Sequence, residues 1–567
     1  MSSPAATAAG LRIMLISSAY NSLTQRMDAE LTDRGHRVAS HVVEDDFGLR
    51  VAVAQHRPQL IIAPMLKTAL PADIWKAAVC LIVHPGPVGD RGPSSLDWAI
   101  TEGAERWGVT VLQAVEEMDA GDIWATVECP LPPVGKSDLY RGEIADAALA
   151  AVHLAVDRFA LRTYVPEPLD RALAARAGTA AVTGTLKPYL RQHARRIDWT
   201  HDTTATVLRK LRAADSFPGV LDTLDGREFF LYGGHEEEAL RGRPGELLAR
   251  RAGAVCRATA DGAVWLTQLR PRRKPGGPAT YKMPATIALG AKAAKRLPEI
   301  PAPLGAGPGT WADIRYRERD SVGYLSFSFP SGGMSTAHCA RLLQAYEQAR
   351  SRPTSVLVLG GTRDFFSNGI HLGVIEAAPS PADESWRNIN AMNDLVHAVL
   401  TTTDKVTIAA LGGNAAAGGV MLALAADEVW AREGVVLNPH YRKMGLTGSE
   451  YWTYTLPLRA GVDQARELLN DARPVSALRA REIGLVDYVI PATPDAFPAE
   501  VETVAARMAA SPELTAWLRG KAHQRAKHEE ARPLSSYREA ELAKMRRIFY
   551  DQESEYHRLR YAFMRKL

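Results

Sequence analysis

A histidine at the end of an apolar run is the first residue placed to do chemistry. The stretch CLIVHPGPVGDRGP (80–93) reads as a buried strand that ends at His84 and continues into a glycine-lined turn. Downstream, the strand-like VTVLQAV precedes EEMDAGD (116–122), a turn rich in carboxylates that contains Asp119. We expect one strand–helix–strand crossover between the two residues, which would leave both at the same sheet edge. A histidine beside a carboxylate can move a proton during acyl transfer, although a capping histidine and a turn aspartate would give the same pattern.

The motif set HPG…GVTV…MDAGD resembles the catalytic signature of folate-dependent formyltransferases, which include the methionyl-tRNA and glycinamide ribonucleotide enzymes. The resemblance covers residues 10–180 and implies that 10-formyltetrahydrofolate is the donor and that His84 and Asp119 are catalytic. It also implies a folate-binding set within LIIAPMLKTALP and the acidic turn: Met65, Leu66, Lys67, Leu70 and Met118. The segment that begins RRIDWTHDTTATVLRKL resembles the start of the small C-terminal barrel of the methionyl-tRNA enzymes.

One position departs from that signature. The family has an asparagine two residues before the histidine, and this chain has Ile82 there. The asparagine amide would donate a hydrogen bond to the developing formyl oxyanion, a contribution of about 3 kcal/mol in comparable sites. Isoleucine cannot donate, so we expect either a replacement donor or an acceptor other than the usual amine.

A second constellation lies in the C-terminal half. SVLVLGGTRDFFSNGIHL (355–372) and VTIAALGGNAAAGGVMLALAADEVW (406–430) each read as a strand followed by a small-residue turn. Two such turns can direct two backbone N–H groups at one point and so stabilise an oxyanion. An ordinary pair of α/β turns would share these features.

The two stretches together resemble the crotonase (enoyl-CoA hydratase/isomerase) superfamily over residues 310–500. The resemblance implies an acyl-CoA substrate and assigns the oxyanion donors to the N–H groups of Ile370 and Gly418. The neighbouring cofactor-binding residues would be Ser367, Asn368 and Gly369. The two glutamate positions of a hydratase hold Met421 and His440, so hydration of an enoyl-CoA is not expected.

The stretch HYRKMGLTGSEYWTY (440–454) offers other proton-handling groups beside this thioester site. Its candidates are His440, Tyr441, Glu450, Tyr451 and Tyr454. An aromatic packing cluster with surface charges is the alternative interpretation.

The two halves in this order resemble the HypX/HoxX family of hydrogenase maturation factors over nearly the whole chain. The resemblance implies formyl transfer from 10-formyltetrahydrofolate to coenzyme A, followed by decarbonylation of formyl-CoA to the carbon monoxide ligand of [NiFe]-hydrogenase. Tyr441 and Glu450 would then remove the formyl proton and protonate the thiol, and hydrogenase maturation proteins become expected partners. Two alternatives stay open: an amine or tRNA formyltransferase with an inactive crotonase region, and a non-catalytic assembly factor that docks through its charged C-terminal helices.

The elements that must position these residues alternate between strand and helix. They predict an α/β chain with a formyltransferase-like parallel domain at 1–185 and a small β-barrel at 186–275. A Pro/Gly/Ala-rich linker at 276–309 would lead to a crotonase-like α/β domain with helical tail at 310–567.

Composition limits the classes of function. The chain has 567 residues, 46% of them hydrophobic, and a net charge of only +4, which argues against a nucleic-acid partner. Its four cysteines are widely spaced, so we expect neither a metal site nor disulfides, and a cytoplasmic location. The apolar stretch 406–426 contains several glycines, which favours a buried strand, loop and helix over a membrane span.

Overall fold

The computed structural model describes residues 10–567, and this part of the chain divides into two compact units. The first runs to Arg195 and includes Arg212–Phe217. The second comprises Arg196–Leu211 and Pro218–Leu567, so the predicted barrel and crotonase-like regions fall in one unit. The predicted boundaries at residues 185, 275 and 309 stay predictions.

The first unit is built on a six-stranded sheet in the order β2-β1-β3-β4-β5-β6. The strands are β1 (Arg12–Ser17), β2 (Arg37–Val42), β3 (Leu60–Met65), β4 (Cys80–His84), β5 (Arg106–Gln113) and β6 (Ile123–Pro130). Strands β1 to β4 run parallel, and the centre of this part is made of almost fully buried apolar runs, as expected for strands covered on both faces. Strands β5 and β6 are antiparallel to their neighbours. The α/β fold is confirmed. A helix (Ser95–Glu102) does lie between β4 and β5, but the expected parallel crossover between His84 and Asp119 is wrong because β5 is antiparallel to β4.

The helices of this unit pack around that sheet. They are α1 (Ser22–Asp33), α2 (Asp46–His56), α3 (Ala72–Ala77), α4 (Ser95–Glu102), α5 (Lys136–Arg141), α6 (Glu143–Ala160), α7 (Leu169–Arg176) and α8 (Gln192–Arg195). Helix α1 begins after Asn21, whose side chain accepts from the Thr24 amide, and the chain leaves it through Gly35 at a φ of +85°. Asn21 and Gly35 thus mark the two ends of this helix.

The second unit begins with an antiparallel sheet in the order β7-β8-β11-β10-β9, with β12 paired to β11. The strands are β7 (Val220–Leu224), β8 (Arg227–Glu237), β9 (Leu247–Arg251), β10 (Ala254–Ala258), β11 (Ala263–Pro271) and β12 (Met283–Pro284). The accompanying helices are α9 (Thr204–Ala214), α10 (Ala285–Leu289) and α11 (Ala291–Lys295). The predicted change to short β elements after residue 190 is confirmed.

The rest of the second unit surrounds another six-stranded sheet, in the order β13-β14-β15-β16-β18-β21, and a small three-stranded sheet, β17-β19-β20. The strands are β13 (Ile314–Arg319), β14 (Val322–Phe327), β15 (Val356–Gly360), β16 (Val406–Leu411), β17 (Ala415–Ala416), β18 (Glu428–Arg432), β19 (Val436–Asn438), β20 (Val475–Ser476) and β21 (Tyr488–Ile490). The helices are α12 (Thr336–Arg350), α13 (Leu372–Ala377), α14 (Pro381–Leu400), α15 (Gly418–Leu424), α16 (Trp452–Ala460), α17 (Val462–Asp471) and α18 (Ala477–Glu482), with short 3₁₀ turns at Pro330–Gly332 and Arg442–Met444. The apolar stretch 406–426 is the buried strand, loop and helix that the sequence predicts.

Four helices complete the chain: α19 (Phe497–Ala509), α20 (Leu514–Ala531), α21 (Leu534–Tyr550) and α22 (Glu555–Arg565). They confirm the predicted helical tail. Helix α20 buries no residue, whereas α21 buries Glu541 together with apolar side chains. Across residues 10–567, every helix is too short or too polar to cross a bilayer.

Candidate active sites

His84 ends β4 and lies between two carboxylates. Its Nε2 atom is 2.8 Å from Oδ2 of Asp90, and its Nδ1 atom is 3.4 Å from Oδ1 of Asp119. The side chains of His84 and Asp90 are only 5% and 3% exposed. Both ring nitrogens therefore face acceptors, an arrangement that suits the charged imidazolium because only that form has two N–H donors.

These contacts decide the charge of His84. Burial alone lowers the pKa of the imidazole, but the hydrogen bonds and charges of Asp119 and Asp90 outweigh burial and raise the pKa to about 9. Burial acts in the opposite sense on Asp119, yet the contact with His84 leaves the pKa of this carboxyl below its usual value. At neutral pH the site holds an imidazolium that can donate a proton.

Two turns meet to form this site. Because β4 and β5 are antiparallel, the end of β5 lies beside the start of β4, and the loop at 114–122 returns toward His84. The turn after His84 is tied to that loop by an ion pair between Arg91 and Glu117, 2.5 Å apart, and the Gly92 amide faces Asp119 at 3.4 Å. Asp119 itself has a φ of +58°, a backbone conformation that aspartate tolerates better than most residues.

Gly86 leaves the space that the histidine–carboxylate pair needs. A Cβ atom at this position would lie 2.2 Å from Oδ2 of Asp90 and 2.6 Å from Nε2 of His84. The carbonyl of Gly86 accepts from Thr110 Oγ1 at 2.9 Å, and the carbonyl of Pro85 accepts from Trp107 Nε1 at 3.0 Å. Thr110 and Trp107 of strand β5 thus anchor this turn. The lack of a side chain at Gly86 leaves room for the contact between His84 and Asp90.

The residues assigned to folate lie around the same sheet edge. Leu66 and Leu70 follow β3, which pairs in parallel with β4, and they pack in one apolar cluster with Ile82. The carbonyl of Met65 accepts from the Ser18 amide at 3.0 Å, and the amide of Lys67 donates to Ser18 Oγ at 2.9 Å. Met118 stands 58% exposed on the loop that carries Asp119. The Met65 carbonyl and the Lys67 amide are therefore already bonded to Ser18, which fixes the chain that follows β3.

The second site lies where two glycine turns of the second unit approach each other. Gly369 has a φ of +75°, and a Cβ atom on it would lie 3.2 Å from the nitrogen of Gly418. The Ile370 amide follows Gly369, whose carbonyl accepts from Met334, and the Gly418 amide opens α15. Neither N–H group has a protein acceptor within residues 10–567, so both are available for a ligand oxygen.

The other two residues of the FSNG turn support this approach. The carbonyl of Ser367 accepts from the Ala416 amide at 2.9 Å, and Ser367 Oγ accepts from the Gly369 amide at 3.1 Å. Asn368 donates through Nδ2 to the carbonyl of Ser331 at 2.9 Å. All three predicted cofactor-binding residues therefore belong to the loop that shapes the amide pair.

A protonatable carboxyl, that of Glu450, lies beside Gly418. A Cβ atom on Gly418 would meet Oε1 of Glu450 at 2.3 Å, so only glycine permits this approach. The other carboxyl oxygen, Oε2, lies 2.8 Å from the Tyr441 hydroxyl and 3.1 Å from the Ser449 amide. Gly448 permits the contact as well, because a Cβ there would lie 2.2 Å from the Tyr441 ring.

Burial sets the proton affinity of this pair. Burial outweighs the lowering effect of the Tyr441 hydrogen bond and, together with the smaller raising effect of the Glu541 charge, brings the pKa of Glu450 to about 7. Burial and the charge of Glu450 also raise the pKa of Tyr441 well above its usual value, so the hydroxyl keeps its proton. Glu450 can therefore both accept and release a proton near neutral pH.

Comparisons with known proteins cover nearly the whole chain. Residues 28–155 match the formyl transferase family, residues 189–280 the formyl transferase C-terminal domain, and residues 317–567 the enoyl-CoA hydratase/isomerase family. The hydrogenase maturation factor HoxX of Bradyrhizobium diazoefficiens is 46% identical over 98% of this chain and 95% of its own length. This chain belongs to the HypX/HoxX family of hydrogenase maturation factors.

A solved structure and a more distant relative agree with that assignment. HypX from Aquifex aeolicus in complex with tetrahydrofolic acid is 42% identical, with a TM-score of 0.92 over 98% of this chain and 96% of that one. The methionyl-tRNA formyltransferase of Bacillus licheniformis is 26% identical over 38% of this chain and 67% of its own length.

This HypX/HoxX chain brings together some of the predicted proton carriers and separates others. Tyr441 and Glu450 are in direct contact, whereas the Tyr454 hydroxyl lies 2.9 Å from Nδ1 of His528 on α20. Tyr451 is 1% exposed, and its ring centroid lies 6.0 Å from that of His397, with the two ring planes tilted by 37°. Of the three tyrosines, only Tyr441 contacts Glu450.

In this HypX/HoxX chain, neither of the two positions predicted to correspond to the hydratase glutamates carries a carboxylate. Met421 is fully buried within α15. His440 is 9% exposed, neither ring nitrogen has a hydrogen-bond partner, and burial lowers the pKa of the imidazole to about 4. A neutral histidine stands where a hydratase has a carboxylate.

Sequence reasoning missed two carboxylates that this HypX/HoxX fold brings to the sites. Asp90 lies in the motif HPGPVGD, six residues after His84, but the glycines and prolines of this turn predict only the course of its backbone. Glu541 lies in a charged helical stretch where no local signal separates it from its neighbours.

Proposed function

We propose that this chain makes carbon monoxide for [NiFe]-hydrogenase in two steps. In the first, the formyl group moves from N10 of 10-formyltetrahydrofolate to the thiol of coenzyme A, giving tetrahydrofolate and formyl-CoA. In the second, formyl-CoA breaks into carbon monoxide and coenzyme A, with the formyl proton ending on sulfur. No oxidant or reductant is consumed in either step.

The observation that carries the proposal is the Glu450 carboxyl, which lies beside Gly418 and 2.8 Å from the Tyr441 hydroxyl, while Met421 and His440 occupy the hydratase positions. This arrangement retains an oxyanion site for a thioester and replaces the groups that add water. A base beside a polarised formyl thioester can remove the one proton that decarbonylation requires.

In the first step, His84 would act as the acid. With a pKa of about 9, its imidazolium would donate a proton to N10 as the C–N bond breaks. Asp119 and Asp90 would stabilise this charged ring before transfer, and the proton that the coenzyme A thiol loses would return to the imidazole afterwards. Met65, Leu66, Lys67, Leu70 and Met118 would surround the folate. Ile82 offers no side-chain amide to the formyl oxygen, which fits an acceptor other than the usual amine.

In the second step, the N–H groups of Ile370 and Gly418 would hold the formyl oxygen. Glu450 would remove the formyl proton as the C–S bond breaks. Tyr441 would protonate the leaving sulfur and recover a proton from Glu450 through their hydrogen bond. Ser367, Asn368 and Gly369 would hold the loop against the coenzyme A thioester, with His440 as a neutral neighbour.

To test this proposal, the purified protein is mixed with 10-formyltetrahydrofolate, with and without coenzyme A. Carbon monoxide is detected by the spectral change of deoxyhaemoglobin on CO binding. We expect carbon monoxide only when coenzyme A is present, and we expect it directly from formyl-CoA without folate. Folate-dependent formylation of an amine or tRNA without carbon monoxide would replace this proposal with an ordinary formyltransferase. Loss of neither substrate would favour a non-catalytic assembly factor.

We also propose the cellular compartment in which the reaction takes place. All four cysteines are free and buried, which fits a reducing compartment, so we propose a cytoplasmic location. Proteins of the hydrogenase maturation pathway would be the recipients of the product, as the name of the Bradyrhizobium relative suggests.

A further inference from the structure

Glu541 is a buried carboxylate that no step above uses. It lies on α21 in the C-terminal tail, is 2% exposed, and has no cation among its hydrogen-bond partners. All of its donors come from one short segment, residues 449–453. Oε2 accepts from the Tyr451 amide at 2.9 Å and from Ser449 Oγ at 3.3 Å. Oε1 accepts from the amide and the hydroxyl of Thr453 at 2.8 and 2.5 Å.

These bonds fall on the segment that carries Glu450. Glu450 and Tyr451 have φ values of +62° and +59°, two successive left-handed residues without a glycine. Such a conformation persists only where the surroundings determine it. Helix α16 starts directly afterwards, and its N-cap residue, Tyr451, makes no side-chain cap bond. The carboxylate of Glu541 accepts from the free amides there, a role usually filled by a local aspartate or serine.

Further contacts hold Glu541 itself in place. Arg538, one turn earlier on α21, forms an ion pair with Asp394 on α14 at 2.7 Å. Asn393, also on α14, donates to Ser449 Oγ at 2.8 Å. Ser449 therefore joins three elements, because its amide meets Glu450 and its hydroxyl meets both Asn393 and Glu541.

We propose that Glu541 is a positioning residue, through which the C-terminal tail folds the 449–453 segment so that the Glu450 carboxyl lies beside Gly418. This inference rests on the proposed function of Glu450. It assigns α21 to the completion of the second site rather than to a docking surface. The two carboxyl groups also interact electrostatically, since the charge of Glu541 raises the pKa of Glu450.

The effect of Glu541 on the pKa of Glu450 is testable because the other groups that face Glu450 act on the same pKa, some in the opposite direction. Tyr441 donates to Glu450 and lowers its pKa, whereas burial and Glu541 raise it. The Ser449 amide lowers it, and the buried Cys339 thiol on α12, whose own pKa burial raises, stays neutral. Removing the charge of Glu541 and removing the hydroxyl of Tyr441 should therefore shift the titration of Glu450 in opposite directions.

The experiment compares E541Q, Y441F and D427N in the full chain, with formyl-CoA as substrate. Asp427 is a matched control, because it is a half-buried carboxylate that accepts from a backbone amide, a threonine hydroxyl and Lys521 of the tail, away from residues 449–453. For E541Q we expect the maximal rate of CO release to fall about 100-fold, as expected when a catalytic group is misplaced by about 1 Å. The midpoint of the rising limb of its pH profile should move down by about one unit, whereas that of Y441F should move up. D427N should leave the midpoint unchanged.

Amide hydrogen exchange separates this inference from the proposed function. Exchange in residues 449–455 should rise in E541Q and stay unchanged in D427N, whether or not formyl-CoA is the substrate. If E541Q does not fold, T453V, which removes only one hydroxyl donor, should show the same changes at smaller size. E541Q with the rate, midpoint and exchange pattern of D427N would overturn the inference. Wild-type chain without any CO release, but with the expected exchange pattern, would overturn the proposed function alone.

Discussion

The two candidate sites use carboxylates in opposite ways. In the first unit, Asp90 and Asp119 flank a histidine, so the negative charges are compensated and the proton is held on the imidazole. In the second unit, Glu450 and Glu541 both lie near Ser449, with no cation bonded to either, and burial raises the pKa of both to about 7. The carboxyl group stabilises a cation in one site and can itself carry a proton in the other.

This difference suits the two proposed reactions. Release of folate nitrogen needs an acid that is charged and ready at neutral pH, which a histidine with a pKa of about 9 supplies. Decarbonylation needs a group that takes a proton from carbon and then gives it up again. A carboxyl with a pKa of about 7 is matched to that exchange.

The largest expected effect comes from E450Q, which removes the proton acceptor of the second site and keeps its shape. We expect CO release from formyl-CoA to fall by about 10⁴-fold, the upper range for loss of a general acid–base group. Consumption of 10-formyltetrahydrofolate in the presence of coenzyme A should continue, and formyl-CoA should accumulate. Stopped-flow haemoglobin spectra and chromatography of the thioester measure the two halves separately. Undiminished CO release would move the chemistry away from Glu450.

The complementary change is H84N, which removes the imidazolium of the first site. Formyl transfer should fall by about 10³-fold because no acid remains beside N10. CO release from added formyl-CoA should stay at the wild-type rate, which serves as the internal control. If H84N and E450Q each affected both halves, the separation of the two sites would be wrong.

The comparison also shows what a sequence can predict. His84 and Asp119 were expected at one place because both lie in motifs at the ends of apolar runs, but the route between them was wrong, since β5 turns back antiparallel to β4. Asp90 was missed because a turn motif does not show which side chain reaches inward. The choice among Tyr441, Tyr451 and Tyr454 depends on two left-handed residues, 450 and 451, that no local propensity predicts. Glu541 comes from a distant helix, and only packing reveals it.

The two sites should destabilise the fold over different pH ranges. The pKa of Glu450 is raised from 4.5 to about 7, so its stabilising contribution is complete below pH 4.5 and is lost as pH rises through 7. The pKa of His84 is raised from 6.5 to about 9, so its contribution is complete below pH 6.5 and is lost as pH rises through 9. Each loss is on the order of 3 kcal/mol.

Urea unfolding between pH 4 and 10 can separate these two ranges. E450Q has no carboxyl to ionise, so its free energy of unfolding relative to wild type should improve between pH 4.5 and 7 and then stay level. H84N should lose stability relative to wild type at pH 6, and this deficit should shrink toward pH 9. Coincident pH ranges in the two variants would contradict the contrast between the sites.

The smallest expected effect is that of D90N, which leaves Asp119 to hold the imidazole alone. Asp90 is one of two carboxylates that raise the pKa of His84, so its loss should lower that pKa by about one unit. Because the imidazole would still be largely protonated at pH 7, formyl transfer should fall by only about tenfold and mainly at alkaline pH. A matched control is D122N, since Asp122 is exposed and lies on the same loop as Asp119. NMR titration of the His84 ring, labelled with ¹⁵N, measures the shift directly. An unchanged titration would mean that Asp119 alone sets the charge of His84. The first site would then pair one carboxylate with a cation, whereas the second site holds two carboxyl groups without a bonded cation.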